Sequence, residues 1–100
     1  MITFEKTHEF AQWLSSLKDK IGQARILARL RAAELGHFSD CEPVGDRIYE
    51  MRIHCGPGYR VYYTRKGKVI YLLLIGGDKT TQARDIKRAK QIVHTLGSED

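Results

Sequence analysis

Between Ile48 and Lys79 the sequence places charged and proton-bearing side chains at alternating positions of β-rich segments. Glu50, Arg52 and His54 lie in one segment, Arg60 and Tyr62 in the next, and Lys79 follows the Gly76-Gly77-Asp78 end of a third. Guanidinium groups, an ammonium, a carboxylate, an imidazole and a phenol form a set suited to a phosphate ester. Arginine grips phosphate through parallel N–H donors and lysine adds a mobile point charge. Carboxylate, imidazole and phenol can move protons.

Alternate residues of a strand share a face, so the elements that carry this set decide whether it converges. Turn signals at Gly56-Pro57-Gly58 and Lys66-Gly67 cut the stretch into three strands, near 48 to 54, 59 to 65 and 69 to 75. With a three-residue first loop, Ile53 is expected opposite Val61, Met51 opposite Tyr63, Arg52 opposite Tyr62 and His54 opposite Arg60. Glu50, Arg52, His54, Arg60 and Tyr62 then share one open face. A two-residue Lys66-Gly67 loop would place Ile70, Leu72 and Leu74 behind Val61 and Tyr63, with Tyr71, Leu73 and Ile75 beside the polar set. A strand apolar on both faces is expected to be central and covered twice.

Residues 2 to 5 read as a short strand at the edge of this meander or beside its last strand. Thr7 is a candidate cap for a helix whose Phe10, Trp13, Leu14 and Leu17 follow the spacing of an apolar stripe. Asp19 opens a second helix that stops at Gly36, with Ile26, Leu27, Leu30 and Ala33 inward and Arg25, Arg29 and Arg31 mostly outward. Residues 37 to 46 have no periodicity and contain Pro43 and Gly45, so a connecting loop is expected. Thr80 or Thr81 caps a last helix with Ala83, Ile86, Ala89, Val93 and Leu96 inward, and residues 97 to 100 are expected to fray. The result is an α+β fold in the order β-α-α-β-β-β-α: a small antiparallel sheet with two amino-terminal helices packed on one face and a carboxy-terminal helix.

One hundred residues, 42% of them apolar, suffice for one domain over residues 1 to 100. No run is long and apolar enough for a membrane span and no leader pattern is present, so a cytoplasmic protein is expected. Cys41 and Cys55 fit no zinc or redox spacing and are expected as free thiols. His37, Asp40, Cys41 and Asp46 have no metal-ligand spacing, and no metal or cofactor is expected. The charge of +5 is uneven: residues 1 to 46 hold 6 Lys/Arg and 7 Asp/Glu, residues 47 to 90 hold 11 and 3, and the last ten hold 0 and 2. A basic face of this kind points to a polyanion, most often nucleic acid.

Neither glycine cluster completes a phosphate loop, and no serine-nucleophile or HExxH motif occurs. The ordered set Tyr49-Glu50-Met51-Arg52-Ile53, Gly56-Pro57-Gly58-Tyr59-Arg60-Val61-Tyr62-Tyr63, Leu72-Leu73-Leu74-Ile75-Gly76-Gly77-Asp78-Lys79, Gln82 and Asp85-Ile86, together with Phe10-x-x-Trp13-Leu14, resembles the HigB-like addiction-module killer proteins of the RelE/ParE superfamily. It covers nearly the whole chain, and the superfamily fold agrees with the order above.

The resemblance implies the toxin of a type II toxin-antitoxin system, a metal-independent endoribonuclease that cleaves messenger RNA on the ribosome and stops growth. It implies a helix-turn-helix antitoxin encoded beside the toxin, contact with operator DNA only through that antitoxin, and no membrane. Cleavage by the 2′-hydroxyl would draw on Arg52, Arg60 and Lys79 for charge, Glu50 or His54 as base, and His54 or Tyr62 as acid. Arg65, Arg84, Lys87 and Arg88 would hold more of the RNA. The better-known RelE pattern uses a carboxy-terminal tyrosine; this chain has none after Tyr71, and its last helix offers His94. Other readings of the same fold are a gyrase-directed toxin of the ParE branch, a non-catalytic RNA-binding module and a decayed toxin.

Overall fold

A computed structural model describes residues 1–98. The chain runs β1 (Thr3–Lys6), α1 (His8–Ser16), α2 (Lys20–Glu34), β2 (Cys41–Gly45), β3 (Ile48–Ile53), β4 (Tyr59–Arg65), β5 (Ile70–Asp78), one 3₁₀ turn (Lys79–Thr81) and α3 (Gln82–Ser98). The strands form one sheet in the order β1-β5-β4-β3-β2, with β1 parallel to β5 and every other pair antiparallel. This is the expected α+β class with a fifth strand added. Among the described residues, no helix is long and apolar enough to cross a membrane.

The amino-terminal helices begin where their caps dictate. The Thr7 hydroxyl accepts from Phe10 N–H at 3.0 Å and donates to the Leu74 carbonyl at 2.6 Å, so the cap also pins α1 to β5. The Asp19 carboxylate accepts from Gly22 N–H at 3.0 Å and from the Tyr59 hydroxyl at 2.8 Å. Ile26, Leu30 and Ala33 of α2 are buried with Phe10, Met51, Ile53, Val61, Tyr63 and Leu73, whereas Leu27, expected inside, is 42% exposed. Arg29, expected to face solvent, turns back and donates to the carbonyls of Arg52 and Ser39.

The stretch expected as a loop contains β2. It pairs with β3, and Gly45 faces Ile48 across a two-residue turn in which Asp46 and Arg47 have φ of 53° and 64°. Positive φ at both central residues is the mark of the type I′ hairpin turn. Pro43 is tolerated because β2 is an edge strand.

Two registers differ from expectation. The loop between β3 and β4 spans residues 54 to 58, with Gly56 and Gly58 at φ of 55° and 80°, so Arg52 faces Arg60, Glu50 faces Tyr62 and Ile53 faces Tyr59. A shift of two residues changes partners but preserves faces, and Arg52 and Arg60 remain on the same side. The second turn is also longer, because Lys66 and Gly67 N–H both donate to the Ile70 carbonyl. Tyr71 and Leu73 therefore join the helical face beside Tyr63, while Leu72 and Leu74 lie with Tyr62, the reverse of the expected arrangement. A bulge at Leu74 restores the phase, and Ile75 faces Tyr62.

The face bearing Tyr62 is not open. Helix α3 covers it with Ala89, Ile86, Ile92 and Val93, against Ile48, Leu72 and Leu74. Ala83 and Leu96, expected inward, are exposed, and Asp85 is buried instead. Asp78 caps the 3₁₀ turn that leads into this helix, its Oδ1 accepting from Thr80 N–H at 2.8 Å, and Thr81 stands immediately before Gln82 and donates its hydroxyl to Asp85. Residues 97 and 98, expected to fray, belong to α3, and residues 99 and 100 lie outside the described residues.

Gly76 and Gly77 let the helices close on β5 from opposite sides. A Cβ on Gly76 would stand 2.1 Å from Trp13 Cε3, and one on Gly77 would stand 1.8 Å from Asp85 Oδ2. Gly76→Ala and Gly77→Ala are each expected to lower the unfolding free energy by about 1–3 kcal/mol. Urea unfolding should show this as a lower midpoint at unchanged m-value. An unaltered midpoint would mean that β5 does not depend on these close approaches.

Candidate nucleic-acid interface

Glu50 lies at the centre of the polar set and is 0% exposed. Its carboxylate accepts from Arg52 Nε at 2.9 Å, the Tyr62 hydroxyl at 3.1 Å and Gln82 Nε2 at 2.7 Å, with Arg60 Nε at 3.9 Å. Burial acts to raise its carboxyl and is the largest single influence. The hydrogen bonds from Arg52, Gln82 and Tyr62 and the charge of Arg60 together outweigh it and hold Glu50 below the usual carboxylate range. Burial, reinforced by the neighbouring Glu50 charge, pushes the Tyr62 phenol well above the usual tyrosine range.

These placements correct the roles expected of two residues. Glu50 as base and Tyr62 as acid would both have to touch a substrate, and both are sealed beneath α3. They brace the arginines instead. Gln82, which sequence reasoning gave no task, closes the network from the first turn of α3.

Arg52 is surrounded by acids. Besides Glu50, it meets Glu42 at 2.8 Å and Asp40 at 3.9 Å, so three carboxylates compensate one guanidinium. Its part is to tie β2 to β3. His54 lies just past the end of β3, exposed, with Nε2 hydrogen bonded to Asp40. That bond is the main reason the Asp40 carboxyl is held below its usual range. In the sequence Asp40 is weighed only as a metal ligand and Glu42 not at all, since both fall in the stretch read as loop.

Arg60 is different. The residue is only 9% exposed, and its Nε is buried without a hydrogen-bond acceptor. Nη1 donates to the carbonyls of Gly58 at 3.0 Å and Tyr59 at 3.5 Å. The side chain forms part of an open depression of about 440 Å³, walled by Gly56, Pro57 and Gly58, with His54 and Lys79 at its rim. Lys79 has no ion pair among the described residues. The depression thus presents two cations and an imidazole around a cavity large enough for a phosphate group and its sugar.

The other basic residues lie in separate places. Arg65 is at the far end of β4, stacked over Tyr71 at 5.4 Å, away from the depression. Arg88 is bound to Glu9 of α1 through Nε at 3.1 and 3.0 Å from the two carboxylate oxygens. Arg84 has a 78% exposed side chain with Nε 3.6 Å from Asp85, and Lys87 is exposed without an ion pair among the described residues. Cys41 and Cys55 are free and half-buried. Among the described residues, no group of three or more His, Cys, Asp or Glu side chains is placed to hold a metal ion.

Comparison with known proteins places this geometry in a family. Residues 12–94 match the family model described as phage derived protein Gp49-like (DUF891). The chain is 45% identical over 96 residues to an uncharacterized protein of Haemophilus influenzae, spanning 96% of this chain and 97% of that relative. The buried Glu50 hub and the glycine pair that admits α1 and α3 all fall within the matched residues. The chain belongs to the phage-derived Gp49-like family, a RelE-like family of toxin-antitoxin toxins.

Proposed function

We propose that the chain is a HigB-like toxin that cuts messenger RNA without a metal ion, and that a helix-turn-helix antitoxin encoded beside it holds it inactive. The observation that carries this reading is the depression itself: the Arg60 side chain, 11% exposed, lines it together with Lys79 and His54. A guanidinium at the wall of an open recess, beside a lysine with no ion pair among the described residues, presents the donors that a phosphate oxygen fits best.

The chemistry follows from these groups. His54 takes the proton of the 2′-hydroxyl, with Asp40 orienting its ring through Nε2. The 2′-oxygen attacks the adjacent phosphorus, and Arg60 and Lys79 meet the charge that develops on the phosphorane oxygens. The bond to the 5′-oxygen breaks, that oxygen takes a proton from water, and the products are a 2′,3′-cyclic phosphate and a 5′-hydroxyl end. Glu50 stays outside these steps and fixes where Arg60 points.

Arg60→Ala is expected to cut RNA cleavage at least about a hundred-fold, or roughly 3 kcal/mol of barrier, while leaving the fold and antitoxin binding in place. Arg60→Lys should rescue little, because an ammonium does not reproduce the paired donors. Primer extension on transcripts from expressing cells reads the breaks. Folded Arg60→Ala protein that cuts within about ten-fold of the parent, a difference of about 1.4 kcal/mol, would remove Arg60 from the reaction. Growth arrest without RNA breaks would favour a gyrase-directed toxin.

Glu50 makes a separate expectation about stability. Its folded pKa is depressed, so its contribution is fully present above the ordinary carboxylate range, about pH 4.3, and is lost as pH falls through the folded value. Glu50→Gln should destabilise the protein by about 1–3 kcal/mol near neutral pH, since the arginines lose their shared buried charge. Urea midpoints of parent and variant should converge as pH is lowered below about 4. A gap that stays constant down to acid pH would show that the carboxylate charge is not what stabilises the hub.

A further inference from the structure

A second recess shares no lining residue with the Arg60 depression and belongs to no step above. It is a groove of about 480 Å³ between α1 and α3, floored by Trp13, Ile75 and Gly76 and rimmed by Arg84, Lys87 and Arg88. The indole is half-buried, set against Gly76 and in contact with Phe10 at 5.8 Å and Tyr59 at 6.3 Å between ring centres. This packing makes it a fixed aromatic surface. On the rim, Arg88 is neutralised by Glu9, whereas Lys87 has no ion pair among the described residues and Arg84 meets Asp85 only through Nε.

We propose that this groove takes a nucleotide of a single strand, with its base against Trp13 and its flanking phosphates on Arg84 and Lys87. The inference rests on the RNA reading of the Arg60 depression. Charge supports it: Lys87 has no ion pair among the described residues, and the Arg84 side chain is 78% exposed with only its Nε near a carboxylate. Arg84 and Lys87 are three residues apart, neighbours on one helix face. An aromatic floor with a cationic rim is the arrangement that holds single-stranded nucleic acid without reading its sequence. An acidic peptide would use the same cations but has less need of a flat ring.

Trp13 is the sole tryptophan of the chain, so its fluorescence gives one signal from a residue that lines this groove. The probe is a single-stranded 2′-deoxy oligonucleotide of about eight nucleotides, which the proposed reaction cannot cut. Titration should quench Trp13. The double variant Arg84→Ala/Lys87→Ala, at two exposed positions, should bind at least about ten-fold more weakly, and its log-affinity against log-salt slope should be shallower by about 0.7 per lost contact. Trp13→Phe, which keeps an aromatic ring in place, should weaken binding measured by anisotropy of a labelled strand. The proposal is overturned if the labelled strand binds with Trp13 emission unchanged, if the double variant binds like the parent, or if no strand binds at low salt. Quenching by an acidic peptide but not by the strand would also overturn it and assign the groove to a protein partner. RNA that stays uncut while the deoxy strand still quenches Trp13 would refute the cleavage reading and leave this one standing.

Discussion

A carboxylate with no access to water, set between two arginines that face each other across a strand pair, is the constraint on which the rest of this structure depends. Arg52 and Arg60 occupy directly opposed positions of β3 and β4, where like charges repel at close range. Glu50 resolves the conflict by accepting from one and lying within 4 Å of the other. A lone buried carboxylate would be costly to desolvate, and Tyr62 and Gln82 supply the remaining donors. The same atoms thus join two strands to the first turn of α3, and removing any one donor leaves the others over-exposed to an uncompensated charge.

This hub divides the sheet face into two regions with different fates. Toward Ile48, Leu72 and Leu74 the face is apolar and takes α3. Toward Arg60 it stays polar, and the helix begins there, behind the Asp78 cap and the turn that bears Lys79. Gly76 and Gly77 at the end of β5 allow Trp13 and Asp85 to approach from opposite sides. Close packing at one strand end therefore sets the distance between the aromatic residues of α1, the cations of α3 and Arg60.

Much of this was legible in the residues. Alternation identified β3 and β4 and their shared polar face, and side-chain caps at Thr7 and Asp19 marked two helix starts. Face assignment survived a wrong partner at Arg52 because the error was two residues, a full period of the strand. It failed for Leu72 and Leu74, where a longer turn and a bulge each shift the phase by one and no residue announces either. Strand β2 was hidden because its turn uses Asp46 and Arg47 in left-handed conformation without the glycine that normally signals it. Burial of Glu50 and Tyr62 was beyond local reading altogether, since it depends on a helix that starts 20 residues after Tyr62.

The parallel pairing of β1 with β5 has a consequence for how the molecule comes into being. Thr3 pairs with Ile70, so the strand at one edge of the sheet must wait for the whole stretch between them before it can dock. Contacts between such distant residues form late, because the intervening chain has to be brought together first. Arg60 and Lys79 also come together only once the end of β5 is in place. A chain in which β5 has not yet reached β4 therefore lacks the assembled depression, and Arg60 and Lys79 meet only as one of the later events of folding.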